Sequence, residues 1–128
     1  MSTELQILAC TMGLGLIHIV LAAALSVQQR GLAWAMGPRD NTPPLTGVAG
    51  RVYRALCNFS ETFPIFAAAI LAVVVAQRGN ANTVLGAQIY LWARLIYIPA
   101  YAISIPYLRT LIWAASLLGM LMVLKVLF

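Results

Sequence analysis

The sequence predicts an all-α integral membrane protein, a single domain over residues 1–128 folded as a bundle of four transmembrane helices. Three observations predict it. Of the 128 residues, 62% are hydrophobic and 9% are charged, whereas a soluble domain carries about 25% charged residues. So few ionisable groups cannot supply a polar skin. The apolar residues fall in four runs of about 20 residues each, the length a crossing helix needs. No segment alternates apolar and polar residues over the length of a membrane-barrel strand. The same composition excludes a disordered chain. Eight Lys/Arg against three Asp/Glu give a net charge of +5, but the basic residues are scattered, with no basic stripe, so nucleic acid is not an expected partner. Cys10 and Cys57 make neither a disulfide framework nor a metal site, and no metal is expected.

The first span covers about 5–27. Its apolar run is longer than the core of a secretory signal, and its only early charge is Glu4, so it reads as a retained helix. Gly13, Gly15 and Ala22-Ala23-Ala24 are small residues that permit close helix packing in lipid. Residues 28–50 form the one substantial loop, because Gly31, Gly37, Gly47, Pro38, Pro43 and Pro44 interrupt regular structure. The second span covers about 52–76 and ends at the turn Gln77-Arg78-Gly79-Asn80. The third covers about 84–105, with Arg94 and Pro99 inside it, and the fourth about 108–127. Their very short connection makes them an antiparallel pair.

Charge distribution sets the orientation. Arg30, Arg39, Arg51, Arg54 and Arg109 flank the first and third connections, against Asp40 alone. The positive-inside rule places those connections in the cytoplasm and both termini on the other side. The compact loops and lack of a retention signal point to a bacterial inner membrane.

An ionisable residue at mid-membrane is costly and marks function by default. Arg54, Asn58 and Glu61 are four and three residues apart, so they share one face of the second span, with Arg51 one turn earlier. Tyr90, Arg94, Tyr97 and Tyr101 share a face of the third span by the same spacing. Glu61 is roughly 16 Å of helix rise from Gly50, and Arg94 is the same distance from Ile105. The matched depth predicts that Glu61 and Arg94 pair or share a network. The two stripes line a cavity open to the cytoplasm, with Arg109 at its mouth. Such a cavity suits a small, multiply charged ligand held beside an apolar partner in the lipid. Tyr107 and Trp113 read as an interfacial aromatic belt, and His18 and Cys57 as packing residues.

The segments Pro43-Pro44-Leu45-Thr46-Gly47, Arg51-Val52-Tyr53-Arg54-Ala55, Asn58, Glu61 and Phe63-Pro64 form a compact signature. It strongly resembles the MAPEG family, the membrane-associated proteins of eicosanoid and glutathione metabolism. The stretch from Tyr90 to Tyr101 is similar to that family's third helix. The resemblance implies a homotrimer of four-helix protomers, with a glutathione site between protomers and open to the cytoplasm. Carried over by position, it implies that Arg51, Arg54, Asn58, Glu61, Tyr97 and Tyr101 bind the tripeptide. Arg30 corresponds to a basic residue near the end of the family's first helix that also reaches glutathione, and Arg109 to the arginine that holds the thiolate. Thr62 stands where some leukotriene-forming members have a tyrosine, which points away from leukotriene synthesis.

The residue chemistry is coherent with this. Arginines pair carboxylates bidentately, Glu61 is suited to an amine, and Arg94 lies within the same polar layer. A guanidinium beside a sulfur favours the thiolate, the reactive form. The leading expectation is a glutathione-dependent transferase or peroxidase acting on lipophilic electrophiles drawn from the bilayer, with glutathione as co-substrate. The alternatives are a non-catalytic lipid- or glutathione-binding protein of the same fold, and a small four-helix drug/proton exporter. The exporter depends on a carboxylate in the middle of the first span, and this span has only Glu4 at its edge.

Overall fold

Helix α1 (Thr3–Arg30) opens at Ser2, whose hydroxyl accepts the Leu5 N–H at 3.3 Å, and closes at Gly31, where φ is 92°. The computed structural model describes residues 1–128. The helix runs past its apolar stretch at both ends because capping groups, not hydropathy, decide where a helix stops. The expected loop 28–50 is therefore shorter and partly ordered. It contains a short helix, α2 (Leu32–Met36), and α3 (Gly47–Val75) begins ahead of the apolar run. Gln29 ties the two ends of this segment together, donating to the Thr46 carbonyl at 2.7 Å and accepting the Thr46 N–H at 3.1 Å.

Helix α4 (Ala81–Ile103) starts with a capping box. The Asn80 side chain accepts the Asn82 and Thr83 N–H groups, and the Thr83 hydroxyl accepts the Asn80 N–H at 2.8 Å. The helix stops at Ser104, left-handed at φ 66°, and α5 (Pro106–Leu124) follows with proline at its first turn. A proline there sacrifices no helical hydrogen bond. A 3₁₀ turn, Lys125–Leu127, ends the chain.

The short link folds α5 back along α4 as an antiparallel pair. Gly86 and Gly119 let the backbones touch. A Cβ added at Gly119 falls 2.6 Å from the Gly86 carbonyl oxygen, and one at Gly86 falls 2.7 Å from that of Gly119. Packed around this pair is a core drawn from every long helix, including Ile7, Leu8, Phe66, Ile70, Val73, Tyr90, Met120 and Val123.

The end of the bundle near the termini is clasped by polar bonds. Glu4, at the edge of the first span, is buried, and its carboxylate accepts the Thr83 hydroxyl at 2.7 Å. Arg78 donates to the Val126 and Leu127 carbonyls at 3.1 and 3.3 Å, taking up acceptors that the last turn leaves free.

Helices α1, α3 and the continuous α5–3₁₀ segment are long and apolar enough to cross a membrane. Helix α4 has 23 residues and sufficient length, but it is less apolar. Leu16, Ile17, Val20, Leu111, Leu118 and Leu121 face outward, a surface that hydrocarbon solvates and water does not.

Candidate functional site

At the end of the bundle opposite the clasp, α3, α4 and α5 diverge around a cavity of about 420 Å³. Helix α3 contributes Arg54, Cys57, Asn58 and Glu61, α4 contributes Tyr97 and Tyr101, and α5 contributes Arg109, Thr110 and Trp113. A smaller cavity of about 180 Å³ shares Arg54, Tyr101 and Arg109 with it and adds Arg51 at the rim. The two stripes inferred from helical spacing thus converge, with the first turn of α5 as the third wall.

Tyr101 is the hub. Its hydroxyl accepts Arg54 Nε–H at 3.2 Å, and the Arg109 guanidinium carbon lies 4.8 Å from its ring centroid. Tyr97 meets Tyr101 edge-on at 5.5 Å. Arg51 is anchored by its Nε, which donates to the Ala102 carbonyl at 2.9 Å. Two cations held against one phenol leave most of their N–H donors directed at whatever fills the cavity.

Arg94 does not pair with Glu61. It is 2% exposed, and its Nη1 donates to Asn58 Oδ1 at 2.8 Å. Equal depth predicted the pair, but depth leaves azimuth open. Asn58 takes the guanidinium instead, while Glu61 is exposed and lines the cavity. Arg94 lies 4.4 Å from the Tyr97 ring centroid, behind the wall and not on it. By occupying the Asn58 carbonyl oxygen, it orients the carboxamide so that the NH₂ is free to donate. Its Nε and Nη2 have no hydrogen-bond partner.

Tyr90 is also off the cavity. It is fully buried, stacked on Phe66 at 4.0 Å, and shares a 2.8 Å hydrogen bond with Thr62. The Thr62 position therefore faces the core. Tyr90→Phe is expected to lower stability by about 1 kcal/mol, the net worth of one buried hydrogen bond. It should leave ligand affinity unchanged. Thermal unfolding and ligand titration of the same variant check both parts.

Arg30 is not brought to this cavity. Its Nε donates to the Pro43 carbonyl at 2.7 Å, and its guanidinium lies over Trp34. His18, expected to be a satisfied packing residue, is 1% exposed with Nε2 unpartnered, and its ring centroid lies 6.0 Å from that of Phe59.

Cys57, Thr110 and Trp113 line the cavity beyond the residues expected there from helical spacing. The signal was present for two of them. Cys57 lies three residues after Arg54 and four before Glu61, and Trp113 lies four after Arg109, so each shares a face with a recognised site residue. Trp113, read from the sequence as a belt residue, is half-buried and lines the cavity beside Arg109.

A comparison with curated proteins finds no match. A family model, that of the MAPEG family, matches residues 7–128, nearly the whole chain and every residue of the cavity. The chain belongs to the MAPEG family.

Proposed function

We propose that this protein is a membrane glutathione transferase that joins the glutathione sulfur to lipophilic electrophiles. The observation that carries the reading is the composition of one cavity: two guanidiniums, a carboxylate, a carboxamide and two phenols beside an indole. Glutathione presents two carboxylates, an ammonium and a thiol, and each has a counterpart here. Arg54, with Arg51 at the rim, supplies cations for the carboxylates. Glu61 accepts the ammonium, and the Asn58 NH₂ is free for a peptide carbonyl. Arg109 supplies positive charge for the sulfur as it loses its proton. In the reaction a sulfur–carbon bond forms at the electrophile, and the displaced group leaves with the bonding pair. Trp113 and the outward apolar faces of the helices favour an electrophile arriving through the bilayer.

In this reading α4 also crosses the membrane, the protein works as a homotrimer, and the cavity opens to the cytoplasm. The clustering of Arg51, Arg54 and Arg109 at the cavity end supports that orientation.

The test is glutathione titration of detergent-purified protein. Arg54→Ala and Glu61→Gln are each expected to weaken binding by roughly ten- to a hundredfold, the scale of one lost charged contact. The oligomer should be unchanged by size-exclusion chromatography. Wild-type affinity in both variants overturns the proposed site. A disrupted oligomer in both makes the polar stripe a structural element instead.

A further inference from the structure

The α4–α5 hairpin is packed into the bundle along only part of its length. The hydrophobic core reaches Tyr90 and Leu91 on α4 and takes up α5 only from Leu117 onward. The stretch between them carries Tyr101, Arg109, Thr110 and Trp113, a whole side of the candidate site. Ile103, Ile105 and Tyr107 at its turn are exposed. Two hydrogen bonds join this tip to α3, from Arg51 Nε to the Ala102 carbonyl at 2.9 Å and from Arg54 Nε to the Tyr101 hydroxyl at 3.2 Å. The rest of the interval is the cavity of about 180 Å³, with Arg51 and Arg54 of α3 on one side and Ser104, Pro106 and Arg109 of the tip on the other.

Each arm of the hairpin has a weak point. Pro99, inside α4, has no N–H to give the Leu95 carbonyl, and its ring crowds the preceding turn. On α5 the Ser116 hydroxyl donates to the Trp113 carbonyl at 2.6 Å, competing there with the helical N–H, a contact that favours bending. Pro99 lies roughly 8 Å of helix from Ser104, and Trp113 roughly 10 Å from Pro106. The two weak points therefore stand at similar depth, and the arms can bend together. Neither Pro99 nor Ser116 lines either cavity of the site.

Charge supplies the force. Three guanidiniums face the smaller cavity and no carboxylate does, since Glu61 lines the larger one. Arg51 and Arg54 ride on α3 and Arg109 rides on the tip, so their repulsion acts across the bend and holds the tip off α3. An anion placed between them reverses the sign of that force.

We propose that the tip, residues 100–112, is a lid that swings about Pro99 and the Trp113–Ser116 turn and is drawn against α3 by an anionic ligand. This rests on the reading of the cavity as a glutathione site and adds a motion to it. The carboxylates that Arg51 and Arg54 hold are also what closes the lid and carries Arg109 to the sulfur.

Hydrogen–deuterium exchange of the detergent-purified protein, read by mass spectrometry, tests this. Without ligand, the amides of 100–112 are expected to exchange faster than those of 84–92. Arg109→Gln removes the repulsion, and Pro99→Ala restores one helical hydrogen bond. Each should slow exchange of the tip by about fivefold with no ligand present, the scale of one net hydrogen bond. Saturating glutathione should slow the wild-type tip at least as much. Pro99→Ala should also weaken glutathione binding by about fivefold, because closure must then bend an intact helix. Ser116→Ala should act in the same direction from α5, so the bend is tested even if Pro99→Ala does not fold. Exchange at 100–112 as slow as at 84–92 in the unliganded wild type overturns the lid, as does a tip unaltered by Arg109→Gln. Glutathione that binds in titration without slowing the tip also overturns it. If glutathione does not bind at all, the failure lies with the ligand reading, and the unliganded variants alone decide the lid.

Discussion

Arg109→Ala is expected to keep most of its glutathione affinity and lose turnover by about 10²–10³-fold, the usual cost of removing one preorganised group that stabilises developing negative charge. The geometry separates the two effects. Arg54, Asn58 and Glu61 on α3 and Arg51 at the rim remain in place without Arg109, so the charged ends of the tripeptide keep their partners. What disappears is the cation on the first turn of α5, 4.8 Å from the Tyr101 ring centroid. The measurement is thiolate absorbance of the bound complex, read beside steady-state conjugation of an aromatic electrophile. Both signals should fall together. Arg109→Lys should recover part of the thiolate signal, since charge survives while the planar fork is lost. Undiminished turnover in Arg109→Ala would remove this residue from the chemistry. Tyr101→Phe would then be the next variant, because its hydroxyl is the other polar hydrogen at the same spot.

The second large effect is structural. Gly119→Leu is expected to separate α5 from α4 and to abolish glutathione binding along with stability. Even Gly119→Ala places a Cβ 2.6 Å from the Gly86 carbonyl oxygen and 2.9 Å from the Tyr90 nitrogen, both backbone atoms that cannot step aside. Alanine is favoured over glycine inside a helix by about 1 kcal/mol, while overpacking costs about 1–3 kcal/mol. Gly119→Ala should therefore be destabilised on balance, and leucine far more. Because Arg109, Thr110 and Trp113 ride on α5, a displaced helix also dismantles a wall of the cavity. Thermal unfolding of Gly119→Ala, Gly119→Leu and Gly86→Ala in detergent gives the ranking. A wild-type midpoint for Gly119→Leu would show that the two backbones do not touch.

Helical spacing made the two polar stripes legible, because a residue's azimuth on its own helix follows directly from 100° per residue. The α4–α5 hairpin was legible from its short link. What spacing leaves open is how one helix is rotated against another. That is why Arg94 was expected to pair or share a network with Glu61 when its hydrogen-bond partner is Asn58, and why Tyr90 was placed in a cavity when it lies on Phe66. Hydropathy was blind to the helix ends for a different reason. The start of α3 at Gly47 and the existence of α2 depend on local hydrogen bonding by polar and small residues, which an apolar window does not see. The burial of Glu4 could not be read from its place at the edge of the first span, because only the fold brings Thr83 to it.

The contact between Gly86 and Gly119 lies off-centre on α5. From Gly119 to Arg109 is ten residues, roughly 15 Å of helix, and from Gly119 to Lys125 is six, roughly 9 Å. The short arm is restrained by the Arg78 bonds to the last turn. The long arm carries the cavity wall and is tied to α4 at its far end by the link at Ser104 and Ile105. Helix α5 is thus held at both ends and at one point between them. A tilt of about 5° about that point carries Arg109 by about 1.3 Å while the far end moves by less than 1 Å, lengths that follow from the helix rise. The width of the cavity is therefore set remotely, by the closeness of two glycines roughly 15 Å of helix away, and a side chain at either would be read out at Arg109 and Trp113 as a displaced wall.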